Sequence, residues 1–335
     1  MPRVSRCIFT RMKSGRVWLH RLSMLLGAAI IVYVGSRIDI SDALEQAGEL
    51  SPLVLLPLVA VYSVSWVMRG FRLKLLVGDL GGTTGFPLAL GTELVADLAN
   101  QVLPARLGDA AKVALLKQRG VLEVVPGTFA AFMVRFGDLA AVTLLMLGCV
   151  PFIRGGAASG FTPYMAAAGG LVLLSALAVF LYAVRPKAFA RAVPSRLPAL
   201  RRQVLRLGRH LGHSPAAALR LLAVSALVWV FDIMTLFVLL KAFHVSLYPA
   251  ATGFVLLASN LTKAFPLTPN GLGVYEGAMV LLLGAFAVPE STAFAVAVID
   301  HAFMNLQSFL MSAAALGMLG IRPRRLGDLA GTGSP

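Results

Sequence analysis

Charged side chains are scarce in this chain. Only 13% of its 335 residues are Asp, Glu, Lys or Arg, whereas 58% are hydrophobic; soluble domains carry about a quarter charged residues. The mean hydropathy is +0.82. The longest polar stretch, residues 185–217, is too short for a separate soluble catalytic domain. These shortages exclude an ordinary soluble protein and predict an integral membrane protein.

The sequence patterns of several enzyme classes are also absent. The chain has no GxxxxGK(S/T) phosphate-binding loop, which argues against an ATPase, and no HExxH motif. No Cys/His spacing indicates zinc, and His301 has no partner ligands in the sequence. The two cysteines, Cys7 and Cys149, are remote from each other, so no disulfide is expected. We therefore predict a non-enzyme with no catalytic residue, metal or cofactor.

The net charge of +15 would suggest a nucleic-acid partner in a soluble protein. Here the basic residues flank apolar segments, so the positive-inside rule explains them better and no nucleic acid is predicted. Of the 30 Lys and Arg residues, 25 lie in four zones: residues 1–21, 69–119, 185–220 and 322–325. We expect these zones, and hence both termini, to face the cytoplasm from the cell inner or plasma membrane.

Apolar windows predict an all-α polytopic protein with about six spanning helices and two broken segments. The spanning windows are residues 20–36, 52–68, 126–151, 162–184, 217–242 and 291–320. With the basic zones inside, the broken segments 83–120 and 248–289 must each enter and leave on one face. They are either re-entrant hairpins or tight pairs of short helices, and the charges do not distinguish the two. One transmembrane domain, residues 22–320, therefore lies between a basic tail, 1–21, and a C-terminal tail, 321–335.

The two broken segments resemble each other at an offset of 165 residues: Pro104 aligns with Pro269, Gly108 with Gly273. This offset predicts two copies, about residues 50–151 and 215–316. Three crossings separate the copies, so the second should be inverted, as in transporters whose broken helices build a substrate site. The residues expected to form the hairpin tips are Pro104, Gly108, Pro269, Asn270, Gly271 and Gly273.

Ionisable groups inside a membrane are costly and usually mark a pathway or a pairing. The candidate substrate-binding or proton-coupling residues are Glu93, Asp97, Asn100, Arg106, Asp109, Arg135, Asp138, Asp232, Lys263, Glu276 and Asp300. Some have simpler explanations. Arg106 and Asp109 can be interfacial charges at the cytoplasmic surface, and Lys263 can extend outward along its own side chain.

Arg135 and Glu276 each have two open interpretations. Arg135 is either a clamp for an anionic headgroup or part of an ion pair with Asp138 or Asp300. Glu276 either receives protons or a cationic headgroup, or it caps the second arm of its hairpin. We expect both to face a central cavity. The repeat alignment places Arg135 and Asp300 in equivalent positions, so we expect them to approach each other.

Three motifs carry a family resemblance: Asn100-Gln-Val-Leu-Pro-Ala-Arg-Leu-Gly-Asp109, Arg135-Phe-Gly-Asp138 and Pro269-Asn-Gly-Leu-Gly-Val-Tyr-Glu276. Together they resemble the lysylphosphatidylglycerol synthase transmembrane region, the flippase-like domain of multiple peptide resistance factors, over about residues 20–320. Asn270 replaces the usual first glycine of the third motif, and Asn tolerates positive φ. No aminoacyl-transferase domain follows before Pro335, so synthesis of an aminoacyl-lipid is not expected.

The resemblance implies movement of a lipid or lipid-linked substrate between leaflets. Relatives of this type are linked to aminoacyl-lipids, polyprenyl-linked sugars or hopanoids, and the sequence does not choose among them. We expect a transporter without ATP, either a facilitator or proton-coupled, whose partners are membrane lipids and an anionic or lipid-linked substrate; a homo-oligomer is compatible with this. The alternative is an accessory subunit or an intramembrane enzyme of a lipid or cell-envelope modification pathway.

Overall fold

The computed structural model describes residues 40–102, 108–153, 185–195, 215–263 and 268–321, with a few isolated positions elsewhere. Pro104 and Arg106 lie outside this part of the chain, as do almost all residues of the predicted helices 20–36 and 162–184. The regular elements are all helical: α1 Ile40–Gly48, α2 Leu55–Asp79, α3 Phe86–Val102, α4 Gly108–Gln118, α5 Val124–Cys149, α6 Pro186–Ala192, α7 Pro215–Ala242, α8 Pro249–Thr262, α9 Val274–Ala285 and α10 Glu290–Met318. The predicted all-α class is confirmed.

Four described helices are long and apolar enough to cross a membrane: α2, α5, α7 and α10. The shortest, α2, has 25 residues, which at about 1.5 Å per residue exceeds a hydrocarbon core about 30 Å thick. They match four of the six predicted spanning windows. The described part of the chain is therefore that of a polytopic membrane protein.

Helix α2 corrects one prediction. It continues to Asp79, well beyond the window that ends at residue 68. Arg69 and Arg72, which the charge count assigned to a cytoplasmic zone, therefore lie inside the helix, and Arg72 is only 2% exposed. Hydropathy falls at Arg69, but carboxylates on neighbouring helices bind both guanidinium groups, so the helix can continue through them.

Each broken segment contains two short helices, which is compatible with both alternatives, a re-entrant hairpin and a tight pair of short helices. The first is α3, which ends at Val102, and α4, which begins at Gly108, with residues 103–107 outside the described part of the chain; the second is α8 and α9, with a three-residue turn at Pro269–Gly271 between them. These helices have 17, 11, 14 and 12 residues, so each is shorter than a membrane crossing. Packing of α3 on α4 and of α8 on α9 makes each segment a helical pair.

The second break depends on left-handed backbone. Gly271 and Gly273 have φ of 79° and 80°, and Asn270 has φ of 53°. Glycine adopts this region without steric cost, and Asn is among the few other residues that tolerate it. The prediction that Asn270 preserves the turn is confirmed.

The order of helices repeats. One long helix, two short ones and another long one form a first set, α2 to α5, and a second set, α7 to α10. The leading helices of the sets pack on each other. Ser65 contacts Asp232, Arg72 contacts Ser225 and Asp79 contacts Arg220. Rising numbers on α2 meet falling numbers on α7, so these two helices are antiparallel.

In addition, a short helix of each set packs on a long helix of the other set. Helix α3 of the first set packs on α10 of the second, and α8 of the second packs on α5 of the first. The largest apolar core lies around the second set, where Phe254, Tyr275 and Leu283 are fully buried. This packing brings both helix breaks against long helices that carry polar residues.

Candidate functional site

Polar residues, most of them buried or half-buried, gather in three places. We define the central cluster as Ser65, Arg69, Arg72, Asp138, Ser225 and Asp232. The first-break cluster comprises Glu93, Asp97, Asn100, Gln101, Asp109, Lys112 and Arg135. The second-break cluster comprises Lys263, Asn270, Tyr275, Glu276, Asp300, His301 and Asn305. Every predicted substrate-binding or proton-coupling residue that the structure describes falls in one of them.

In the central cluster, Arg69 joins the two leading helices. Its Nη2 donates to Asp232 Oδ2 at 2.7 Å, and Ser65 Oγ donates to Asp232 Oδ1 at 2.6 Å. The guanidinium also lies 4.9 Å from the centroid of the Trp66 ring. Asp232 is 3% exposed, so its charge is neutralised inside the protein rather than by water.

Arg72 ties three long helices together. It forms an ion pair with Asp138 on α5 and donates to Ser225 Oγ on α7 at 3.0 Å. Sequence analysis found Asp138 but missed Arg69 and Arg72, because both were placed in a loop. Their spacing of three residues, which puts both on one helix face, is the signal that identifies them.

The first-break cluster contains a buried ion pair between the two arms of the break. Lys112 Nζ on α4 donates to Glu93 Oε2 on α3 at 2.8 Å, with side-chain exposures of 3% and 8%. The Gly108 amide, at the start of α4, donates to Asn100 Oδ1 at 2.9 Å. Asn100 therefore holds the second arm against the first.

Arg135 does not pair with the expected residues. Its Nε and Nη2 donate to Asp109 Oδ2 and Oδ1 at 3.0 and 3.2 Å, whereas Asp138 pairs with Arg72 and Asp300 bonds to Tyr275. The expected approach of Arg135 to Asp300 was wrong. Instead, α5 contacts the first turn of α4 through Arg135, and α10 contacts the first turn of α9 through Asp300. The Arg135 and Asp109 side chains are 43% and 32% exposed.

Glu276 caps the helix after the second break. Its Oε2 accepts from the amide of Gly273, the residue just before α9, at 2.6 Å; because glycine has no side chain, only this half of a capping box is present. Its Oε1 lies 2.6 Å from His301 Nδ1 on α10. The capping interpretation is confirmed, and the histidine contact adds an attachment to the following long helix.

Beside this pair, the Tyr275 hydroxyl donates to Asp300 Oδ2 at 2.6 Å. Asp300 is fully buried, and its Oδ1 has no hydrogen-bond partner among the described residues. Lys263 Nζ lies 3.7 Å from the centroid of the Tyr275 ring. Lys263 thus covers the tyrosine instead of extending outward, and within the described ranges it forms no ion pair.

A polar stripe on α10 connects the second break to α3. Asn305 accepts from Asn270 Nδ2 at 2.6 Å. One turn further on, Ser308 Oγ accepts from Gln101 Nε2 at 2.7 Å, and the same amide donates to Asp97 Oδ2 at 2.7 Å. The two breaks are therefore linked through hydrogen bonds of α10, a connection that sequence analysis did not predict.

Tyr275 and His301 were not among the predicted site residues. Their positions relate to the first break: Asp109 and Arg135 are 26 residues apart, Tyr275 and Asp300 are 25 apart. A residue at a similar distance before Asp300 in the second copy is Tyr275, so this spacing is the signal that could have identified it. No group of three His, Cys, Asp or Glu residues is placed to hold a metal in the described part of the chain.

Comparison with known proteins identifies relatives. Residues 21–311 match the family described as the lysylphosphatidylglycerol synthase TM region. The chain is 27% identical to the glycosyltransferase AglD of Haloferax volcanii, over 84% of this chain and 51% of that protein. It is 26% identical to a UPF0104 membrane protein of Methanocaldococcus jannaschii, over 60% of this chain and 85% of the relative. The chain thus spans about half the length of the first relative and most of the second.

Proposed function

The chain belongs to the lysylphosphatidylglycerol synthase transmembrane-region family, and on that basis we propose that it moves a lipid or lipid-linked amphiphile between membrane leaflets. The main observation is that both helix pairs carry ionisable side chains at equivalent places, Asp109 with Arg135 at the first and Tyr275 with Asp300 at the second. Interrupted backbone at membrane depth is tolerated where it is enclosed by protein or lines a water-filled cavity. Polar side chains at such places suit contact with a passing headgroup.

The proposal includes an inverted repeat. The repeated helix order and the antiparallel packing of α2 on α7 support it, because equivalent helices of inverted copies must run in opposite directions. In this arrangement the arms of each break move against the long helix that follows. The Arg135–Asp109 contact holds α4 against α5, and the Glu276–His301 contact holds α9 against α10.

The partly exposed Arg135–Asp109 pair is the proposed contact point for a headgroup. A guanidinium binds phosphate with two parallel hydrogen bonds, and Arg135 uses Nε and Nη2 in this way on Asp109. A lipid phosphate can therefore replace the carboxylate. The name of the AglD relative is compatible with a sugar-linked lipid. The sequence has no ATP-binding motif, so the transporter is either a facilitator or proton-coupled.

A second candidate is a non-catalytic accessory subunit of a lipid-modifying pathway. It is favoured by the pairing of most buried charges: Arg69 with Asp232, Arg72 with Asp138 and Lys112 with Glu93. In an accessory subunit with only a structural role, buried charges should all be paired, and no conformational change is required. The two candidates differ in whether the purified chain moves lipid by itself.

The test uses purified protein in liposomes with fluorescently labelled phosphatidylglycerol or phosphatidylethanolamine, whose outer-leaflet fraction a membrane-impermeant reductant quenches. We expect protein-dependent movement that Glu276→Gln and Arg135→Ala reduce by roughly tenfold or more. Leu281→Ala is the control, since Leu281 lies on α9 but is 72% exposed. Movement of neither lipid would favour the accessory subunit. Near-normal rates in both charge variants would show that these charges are only structural.

A further inference from the structure

The second-break cluster does not balance its charges. Lys263 is its one cation, Glu276 and Asp300 are two carboxylates, and His301 is neutral when a single ring nitrogen is protonated. Glu276, Asp300 and His301 are 4%, 0% and 2% exposed. Net charge in so enclosed a site is unfavourable, and such groups tend to become neutral instead.

Glu276 is the better-satisfied carboxylate. One oxygen accepts from the Gly273 amide at the start of α9, and the other faces His301 Nδ1. The partial positive charge of a helix N-terminus also favours a carboxylate at that position. With Glu276 ionised, the short contact requires the His301 proton on Nδ1. Its Nε2 has no hydrogen bond of good geometry among the described residues, although the Asn270 backbone lies next to the ring.

Asp300 is the poorly satisfied carboxylate. It accepts one hydrogen bond, from the neutral Tyr275 hydroxyl, and its other oxygen is unpartnered. Asp138 and Asp232 each bind an arginine, whereas Asp97 accepts a hydrogen bond from the Gln101 amide. A buried carboxylate with one neutral hydrogen bond costs far more than the same group protonated.

The surroundings do not supply the missing cation. The groups that face Asp300 are Tyr275 and Glu276 on α9, His301 on α10 itself and Lys263 at the end of α8. Asp232 on α7 acts on it from further away but is neutralised by Arg69. Asp97 on α3 adds negative charge near Lys263. The ring of Tyr275 lies against Lys263, while its hydroxyl binds Asp300.

We propose that Asp300 is a proton-binding site, with Tyr275 as its positioning residue. The described arrangement is then the protonated state. Loss of the proton to water leaves a buried negative charge that attracts Lys263 away from the Tyr275 ring. Because Lys263 directly follows α8, this attraction shifts the second break. Coupling of that shift to lipid movement rests on the proposed function; the proton site itself does not.

Infrared spectroscopy of the purified protein in lipid nanodiscs tests the proton site directly. We expect wild-type protein to show the carbonyl band of a protonated carboxyl group, which titrates away as the pH rises. Asp300→Asn removes the band and Tyr275→Phe shifts it, whereas Asp97→Asn, the matched control, retains it. Helix content and elution volume identify variants that fail to fold. The absence of any titrating carboxyl band in the wild type, or its persistence in Asp300→Asn, overturns the proposal.

A second measurement separates this proposal from the proposed function. In the liposome assay, we expect wild-type lipid movement to change roughly tenfold across the titration of the band, and Asp300→Asn to lose that dependence. A titrating Asp300 band without any lipid movement would keep the proton site and contradict transport. Lipid movement with the same pH profile in Asp300→Asn would contradict coupling through Asp300.

Discussion

Arg69 on α2 binds Asp232 on α7, with 2.7 Å between Nη2 and Oδ2. The pair joins the leading helices of the two sets, which run antiparallel. Its side chains are 18% and 4% exposed, so each charge depends on the other. At the same interface, Arg72 on α2 donates to Ser225 Oγ on α7 at 3.0 Å.

We expect Asp232→Asn to destabilise the protein by roughly 3–5 kcal/mol, because it leaves the Arg69 charge without its partner. The double variant Arg69→Met/Asp232→Asn should recover much of this loss. The measurement is the free energy of unfolding in mixed micelles. The single variant Arg69→Met completes the comparison. If the double variant loses as much stability as the sum of the two single variants, the pair does not hold α2 on α7.

Backbone conformation at the second break gives a matched pair of glycine substitutions. Gly271 has φ of 79° and Gly284, inside α9, has open space where a Cβ would be. Gly271→Ala should cost about 1–2 kcal/mol, since left-handed backbone disfavours a Cβ. Gly284→Ala should be neutral or stabilising by about 0.5–1 kcal/mol. Thermal unfolding of both variants checks this, and equal effects would argue against a strained turn.

The contact of helix α1 with α10 should weaken at low pH. Hydrogen bonds from Ser291 and Gln46 hold the pKa of Asp42 below its ordinary value of 3.8. A lowered folded-state pKa means that this stabilisation is present above the unfolded-state pKa and is lost as the pH falls through the folded-state value. Hydrogen-exchange protection of α1 should therefore drop only in strong acid. Asp42→Asn should have the same protection at all pH values; an acid-dependent loss in that variant would exclude Asp42 as the cause.

Both chain ends should face the cytoplasm, as the basic residues of the tails predict. Fluorescent-protein fusions at either end should fluoresce, and alkaline phosphatase fusions should be inactive. An active phosphatase at the C-terminus would contradict an inverted second copy.

Hydropathy located the long helices well because a spanning helix is a continuous run of apolar residues, which is visible in the local sequence. The predicted windows 126–151, 217–242 and 291–320 each lie close to an observed helix. The end of α2 could not be predicted in this way. Arg69 finds its partner 163 residues away, and no local pattern contains that information.

The site residues were predicted better than their contacts. The motifs pointed to Arg135 and Glu276, and the repeat alignment placed Asp300 at the position equivalent to Arg135. Alignment cannot tell whether equivalent residues face each other or face their own breaks. That choice depends on how α5 packs on α4 and how α10 packs on α9, which is a tertiary property.

The central claim, that the helix breaks move to pass a lipid, can be tested by locking one of them. A Cβ added at Gly127 on α5 lies 3.8 Å from Val113 Cβ on α4, a separation suited to a disulfide. Val113→Cys/Gly127→Cys, with Cys7 and Cys149 replaced by Ser, can therefore be closed by oxidant and reopened by reductant. Each single-cysteine variant is the control for oxidation itself.

The decisive measurement is the rate of labelled-phospholipid movement in liposomes before and after this disulfide forms. We predict that oxidation stops movement and that reduction restores it, with no effect of oxidant on the single-cysteine variants. An unchanged rate in fully cross-linked protein would contradict the account.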